Sequence, residues 1–238
     1  MRVDGRQNDQ LREIKFELGF VKNSLGSALS VCGLTEVICT VNIKDGLPGW
    51  KSSGSGGWLT AEYRMLPGAT HTRSKREAGV GGRSSEIQRL IGRTLRAAVD
   101  LDKLGDRTVQ IDCDVLNADG GTRCASINGA MLALMNALKK MEEQGVDISG
   151  IIKTPLSAIS VGVVKGQALL DLCYKEDSAA DVDMNVIMTA KGDFVEVQGT
   201  GEEAVFSRQE LNELLDAGEK GTQEISVELA KIYPEFFE

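Results

Sequence analysis

Two short segments of this chain combine glycine with arginine immediately ahead of apolar, helix-like runs. Arg83 follows Gly81-Gly82, and Arg123 closes Asp119-Gly120-Gly121-Thr122-Arg123. Glycine lets the backbone come close to a bound group and leaves its N–H groups uncovered. A helix start adds the positive end of the helix dipole, and arginine adds a planar, permanently charged fork that suits phosphate oxygens. The two segments together are suited to cradle one free phosphate, although glycine-rich turns ahead of helices are also common with no ligand. A third cluster is acidic and runs Glu176-Asp177-Ser178-Ala179-Ala180-Asp181-Val182-Asp183. Its carboxylates suit Mg²⁺, which takes one or two protein oxygens and completes its shell with water and substrate phosphate. A solvated acidic loop has the same composition. The small Ser-Ala-Ala centre favours a tight turn that holds Asp177 and Asp183 in place.

Other chemistries have little to work with. His71 is the one histidine, so a nuclease built on a histidine acid–base pair is excluded, and no GxxxxGK[ST] or strand-linked GxGxxG occurs. The five cysteines are odd in number and form no CxxC; Cys32, Cys39, Cys113 and Cys173 sit in apolar runs that read as strands. Free, buried thiols in a reducing compartment are expected, not a zinc or disulfide framework.

The net charge of −8 hides an asymmetry. Residues 1–125 carry 18 Lys+Arg and 15 Asp+Glu, a net of +3, while the remainder carries 9 and 20, a net of −11. Between Arg64 and Arg96 stand Arg73, Lys75, Arg76, Arg83, Arg89 and Arg93, against Glu77 and Glu86 alone. Local field, not total charge, governs anion binding. One half is thus equipped for a polyanion, and the other is rich in carboxylates. The stripe Arg89, Arg93, Arg96 extends the basic segment along a helix face, which reads equally as a solvated surface or, with Arg89, as part of a polyanion-binding face.

The elements that would position these residues follow from periodicity. Residues 28–31 and 35–41 read as a hairpin, 44–57 as a Gly/Ser-rich loop, 58–63 as a strand and 65–82 as irregular. A helix is predicted over 84–99, a half-buried strand over 108–116, and a helix over 125–141 that is apolar all round and therefore central. Strands at 158–164 and 168–174, then at 185–189 and 194–198, precede a helix opened by a Ser207–Glu210 capping box. Glycines at 218–221 predict a break, with a last helix over 224–233. No linker divides the chain, so 238 residues form one α+β domain. The polar start MRVDGRQNDQ and the lack of a long apolar run predict a cytoplasmic protein without a membrane partner.

MRVDGRQNDQLR, GGWLTAEYRMLPGATHTR, GGRSSEIQRLIGRTLRAAVDL, DCDVLNADGGTRCASINGA, EDSAADVDMNVIMT and VEVQGTGE appear in this order, and in them the chain resembles the bacterial ribonuclease PH family to about residue 217. The resemblance implies a ribosomal-protein-S5-domain-2-like α+β fold and a homohexamer built as a trimer of dimers. It also implies phosphorolytic removal of 3′-terminal nucleotides from precursor tRNA and other RNA, as nucleoside diphosphates. By position, Arg83, Gly121, Thr122 and Arg123 match the family's phosphate-binding residues. Asp177 and Asp183 match its acidic pair for catalysis and Mg²⁺, and Arg73 and Arg76 its RNA-engaging residues. Gly68 stands where the family often has a basic residue, and the stretch from Ala78 to Gly81 is shorter than usual. The rival reading is a non-catalytic RNA-binding ring subunit of an exosome-like assembly, which usually lacks the acidic pair or the phosphate arginines.

Overall fold

The computed structural model describes residues 2–76, 81–201 and 204–238; the short stretch noted after Ala78 falls largely outside them. Alternating burial builds the first sheet: β1 (Ile14–Leu18), β2 (Gly26–Cys32), β3 (Thr35–Asp45), β4 (Trp58–Met65) and β5 (Arg107–Asn117), in the order β1-β2-β3-β5-β4. The hairpin expected around residue 33 joins β2 and β3, which pair Cys32 with Thr35 at its tip. β4 lies parallel to β5, a pairing that needs a crossover. Helix α1 (Gly82–Ala98) and the short α2 (Leu101–Leu104) supply it.

Helix α3 (Thr122–Glu143) starts three residues earlier than its periodicity suggests. Most of its residues are buried, because it packs on β2 and β3 with one side and on β6 with the other. Its central Asn128 is satisfied rather than stranded: Nδ2 donates to the Ala158 carbonyl at 2.9 Å, and Oδ1 accepts from the Ala158 N–H at 2.8 Å. The second sheet has the order β7-β6-β8-β9, from β6 (Leu156–Val164), β7 (Gln167–Leu170), β8 (Val182–Thr189) and β9 (Phe194–Gly201). One continuous apolar core joins both sheets through α3.

Three local expectations need correction. The chain leaves the sheet at Leu170, so 171–174 is not strand; a short helix α4 (Tyr174–Asp177) follows, and Cys173 caps it. The acidic run is not one turn, since Asp177 ends α4 whereas Asp183 is the second residue of β8. The break at 218–221 does not occur: α5 (Arg208–Ala230) is continuous from its Ser207 cap and is followed by a 3₁₀ turn at Pro234–Phe236. The glycines there serve close packing. A Cβ on Gly218 would stand 2.7 Å from Val186, and one on Gly221 2.6 Å from Leu170. All five cysteines are free; Cys32 is half-buried and the other four are buried.

Candidate active site

The N-termini of α1 and α3 open into the same cleft of about 730 Å³. Arg83 is the second residue of α1 and Arg123 the second of α3. Both helices begin at glycine, Gly81 and Gly121, with no side-chain cap on their first N–H groups. Both helix starts therefore bring the positive end of a helix dipole to the cleft.

The loop ahead of α3 is built rigidly. Gly120 and Gly121 have φ of 78° and 67°, a region that favours glycine, and a Cβ on Gly120 would lie 2.4 Å from the Leu172 carbonyl. Thr35 of β3 ties the loop down: its hydroxyl donates to the Gly120 carbonyl at 2.7 Å and accepts from the Asp119 N–H at 2.9 Å. Thr122 is buried, and its Oγ1 accepts from the Tyr63 hydroxyl at 2.9 Å. Burial, offset in part by this bond, raises the Tyr63 pKa. With Tyr63 as donor, the Thr122 proton is left to donate elsewhere.

Arg123 has one partner and one orphan. Its Nη2 donates to Glu86 Oε2 at 3.1 Å, whereas its Nε is buried with no hydrogen-bond partner. Such a donor costs roughly 1–3 kcal/mol when left unmade, so a buried arginine Nε in a cleft points to an anion. The other oxygen of Glu86 accepts from Gln198 Nε2 at 3.1 Å, and Gln198 Oε1 is, among the described residues, the second buried side-chain polar atom without a partner. Burial works to raise the Glu86 pKa, but the Gln198 hydrogen bond and the Arg123 charge hold it below the usual range, so the carboxylate is ionised at neutral pH.

Asp177 and Asp183 line this cleft as well, from the end of α4 and the start of β8. Among the described residues no group of three or more His, Cys, Asp or Glu gathers as a ready metal cage. Two carboxylates beside an anion site still fit Mg²⁺, which usually keeps several waters and shares substrate oxygens. The structure thus brings Arg83, Gly121, Thr122, Arg123, Asp177 and Asp183 together. It leaves Arg73, Arg76 and Arg89 exposed and outside the cleft lining. The rest of the arginine stripe has structural partners: Arg93 pairs with Glu196, and Arg96 lies 4.6 Å from the centre of the Trp58 ring while donating to the Leu59 carbonyl.

Sequence reading missed the braces. Arg12 makes a bidentate pair with Asp171, Nη2 to Oδ1 at 2.6 Å and Nε to Oδ2 at 3.0 Å, and its Nη1 donates to the Asp119 carbonyl at 2.5 Å. Arg2 pairs with Glu176, next to Asp177, through two hydrogen bonds of 2.9 and 2.7 Å. The N-terminal arm therefore locks both the glycine loop and the helix that carries Asp177. Burial alone would raise the pKa values of Asp171 and Glu176, but their arginine partners hold both below the usual carboxylate range. Arg2 and Arg12 stand in a polar, aperiodic stretch with no local signal of burial. Glu86, Gln198, His71 and Tyr174 also line the cleft.

Residues 10–140 match domain 1 of the 3′ exoribonuclease family, and residues 154–221 match domain 2. The chain belongs to that family. It is 57% identical over 229 residues to ribonuclease PH of Bacillus subtilis (strain 168), covering 94% of each chain. It is 54% identical over 227 residues to ribonuclease PH of Corynebacterium glutamicum (strain R), covering 94% of this chain and 93% of that one. A solved Archaeoglobus fulgidus exosome structure with RNA bound to the active site has the same fold, at a TM-score of 0.83 and 24% identity over 95% of this chain and 92% of the other. The chain is a phosphorolytic 3′→5′ exoribonuclease. No helix among the described residues is long and apolar enough to cross a membrane.

Proposed function

We propose that orthophosphate sits between Arg83, Arg123, the Thr122 hydroxyl and the open N–H groups around Gly121, and that it attacks the terminal linkage of precursor tRNA and other RNA 3′ ends. The observation that carries this reading is the buried, unpartnered Arg123 Nε in a cleft that two helix N-termini share. Phosphoryl transfer asks a protein mainly for positioning and charge neutralisation. The arginines hold the attacking anion, which would otherwise be repelled by the scissile phosphate. A new P–O bond forms to orthophosphate, the bond to the preceding 3′-oxygen breaks, and a nucleoside diphosphate leaves. One phosphate linkage replaces another, so the reaction is reversible.

Asp177 and Asp183 are the residues that would hold Mg²⁺, and the ion would neutralise charge that builds on the scissile phosphate. Asp183 has a second possible role, as the acid that protonates the departing 3′-oxygen. In either role Asp183→Ala abolishes turnover while the fold survives. Arg73, Arg76 and Arg89 contact the RNA backbone outside the cleft. Working as one domain, since a single apolar core joins both sheets, the chain assembles into a homohexamer, a trimer of dimers; light scattering on the purified protein measures that state.

The test is to incubate the protein with RNA and Mg²⁺, with and without orthophosphate. Nucleoside diphosphates released solely when phosphate is present are expected. Nucleoside monophosphates, or equal release without phosphate, would refute the reading, and RNA binding without any cleavage would favour a non-catalytic ring subunit.

A further inference from the structure

Among the described residues, Gln198 is the one side chain in the cleft whose buried acceptor has nothing to accept from. Its amide cannot turn round to cure this. Nε2 donates to a carboxylate oxygen of Glu86, and a carboxylate only accepts, so the amide is fixed with its carbonyl pointing away from Glu86. The site therefore asks for a donor from outside the protein.

The position narrows which donor it is. Glu86 bridges Gln198 and Arg123, so the carbonyl stands one carboxylate away from the arginine assigned to phosphate. In the register of β8 with β9, Gln198 lies opposite Asn185 and Thr200 lies opposite Asp183. All four line the cleft, hence one face of this strand pair carries both the carbonyl and Asp183. A phosphodiester offers no hydrogen to donate at neutral pH. The next group along the chain on either side is a ribose, whose hydroxyls donate, whereas the base lies farther out. We propose that Gln198, oriented by Glu86, accepts a hydrogen bond from a ribose 2′-hydroxyl next to the scissile phosphate, and so makes the enzyme selective for a ribose at that position. This inference rests on the phosphorolytic reading of the site.

The same carbonyl could meet the sugar of the departing nucleotide or the sugar that carries the leaving 3′-oxygen, and one substrate series separates the two. RNAs with a single 2′-deoxy sugar at the terminal or at the penultimate position are compared with all-ribose RNA at saturating phosphate, using wild type and Gln198→Met. Methionine keeps the length of the side chain and removes the acceptor together with the Nε2 donor to Glu86. At one of the two positions the deoxy sugar should cost the wild type about tenfold in kcat/KM, the usual penalty for an unmet buried acceptor. In Gln198→Met the ribose and deoxy substrates should become equal at that position, whatever the lost contact with Glu86 does to the KM for phosphate. An equal loss on every substrate, with the deoxy penalty intact, would overturn the proposal, because it would make Gln198 structural. Coupling that follows the base instead of the sugar would overturn it too. β9 is an edge strand, and the melting temperature reports whether methionine is tolerated there. Should it not be, the wild-type series still decides, since indifference to deoxy sugar at both positions sinks the idea. Failure of the wild type to release nucleoside diphosphate from all-ribose RNA would instead strike the activity itself.

Discussion

The two arginine-bearing glycine turns look alike in sequence and are built differently. The turn at Gly120-Gly121 adopts left-handed backbone, presses against the Leu172 carbonyl and is tied to Thr35 and Arg12. At Gly81-Gly82 the backbone is ordinary: Gly81 has φ −64° and ψ 160°, and a Cβ on Gly82 would meet nothing within 4 Å. Arg123 is half-buried and braced by Glu86, whereas Arg83 is exposed. One half of the cradle is fixed before any ligand arrives, and the other half can adjust. A preorganised donor loses little freedom on binding, while an exposed arginine gives up rotamer entropy, so Arg123 should contribute more of the phosphate affinity.

Glycine replacement should separate the turns most sharply. Gly120→Ala meets both a disfavoured φ and a backbone clash, and should destabilise by about 3 kcal/mol or more. Gly82→Ala sits at an ordinary helical position and should stay within about 0.5 kcal/mol of wild type, in either direction. Thermal or urea unfolding measures both, and equal effects would remove the distinction. Next in size is the loss of each arginine. Arg123→Ala should lower kcat/KM for phosphate by roughly 100-fold, and Arg83→Ala by roughly tenfold, as seen by titrating orthophosphate at fixed RNA. The reverse order would show that the exposed turn dominates.

A pH dependence sharpens the same contrast, because the fixed turn rests on buried carboxylates. Asp171 and Glu176 have folded pKa values below their ordinary 3.8 and 4.5. The stability they lend is fully present above those ordinary values and is lost as pH falls through the depressed folded ones. Melting temperature should therefore fall steeply below about pH 4, and Glu176→Gln should flatten that fall. An unchanged slope would mean that the Arg2–Glu176 pair is not linked to folding. The smallest effect concerns the exposed arginines outside the cleft. Replacing Arg73 and Arg76 together with alanine should reduce the salt dependence of RNA binding by about 1.4 in the log–log slope, about 0.7 per single-strand phosphate contact. Unchanged binding at low salt would reduce them to loop solvation.

Most elements were legible because burial here follows periodicity. Alternation marks β3 and β5, and the all-apolar run of α3 announces its central place. The glycines at 218–221 misled, since glycine signals a break and close packing with the same letter. Small side chains against Val186 and Leu170 let α5 run on without interruption. At the site, the arginine–glycine segments and the acidic pair were visible as local motifs, and the fold gathers them. The acidic run suggested one turn because its residues are neighbours in sequence, but β8 begins inside it. Arg2, Arg12, Glu86 and Gln198 were not legible, because each works through a partner 37 to 174 residues away. Contacts of that range leave no trace in spacing or composition.

The central claim is that Arg83 and Arg123 share one anion. Crystals of the protein grown or soaked with orthophosphate test it most directly. One phosphate within hydrogen-bond distance of both guanidinium groups, and in contact with Arg123 Nε, is the predicted result. Phosphate bound to either arginine alone, or bound outside the cleft that Asp177 and Asp183 line, would contradict the account.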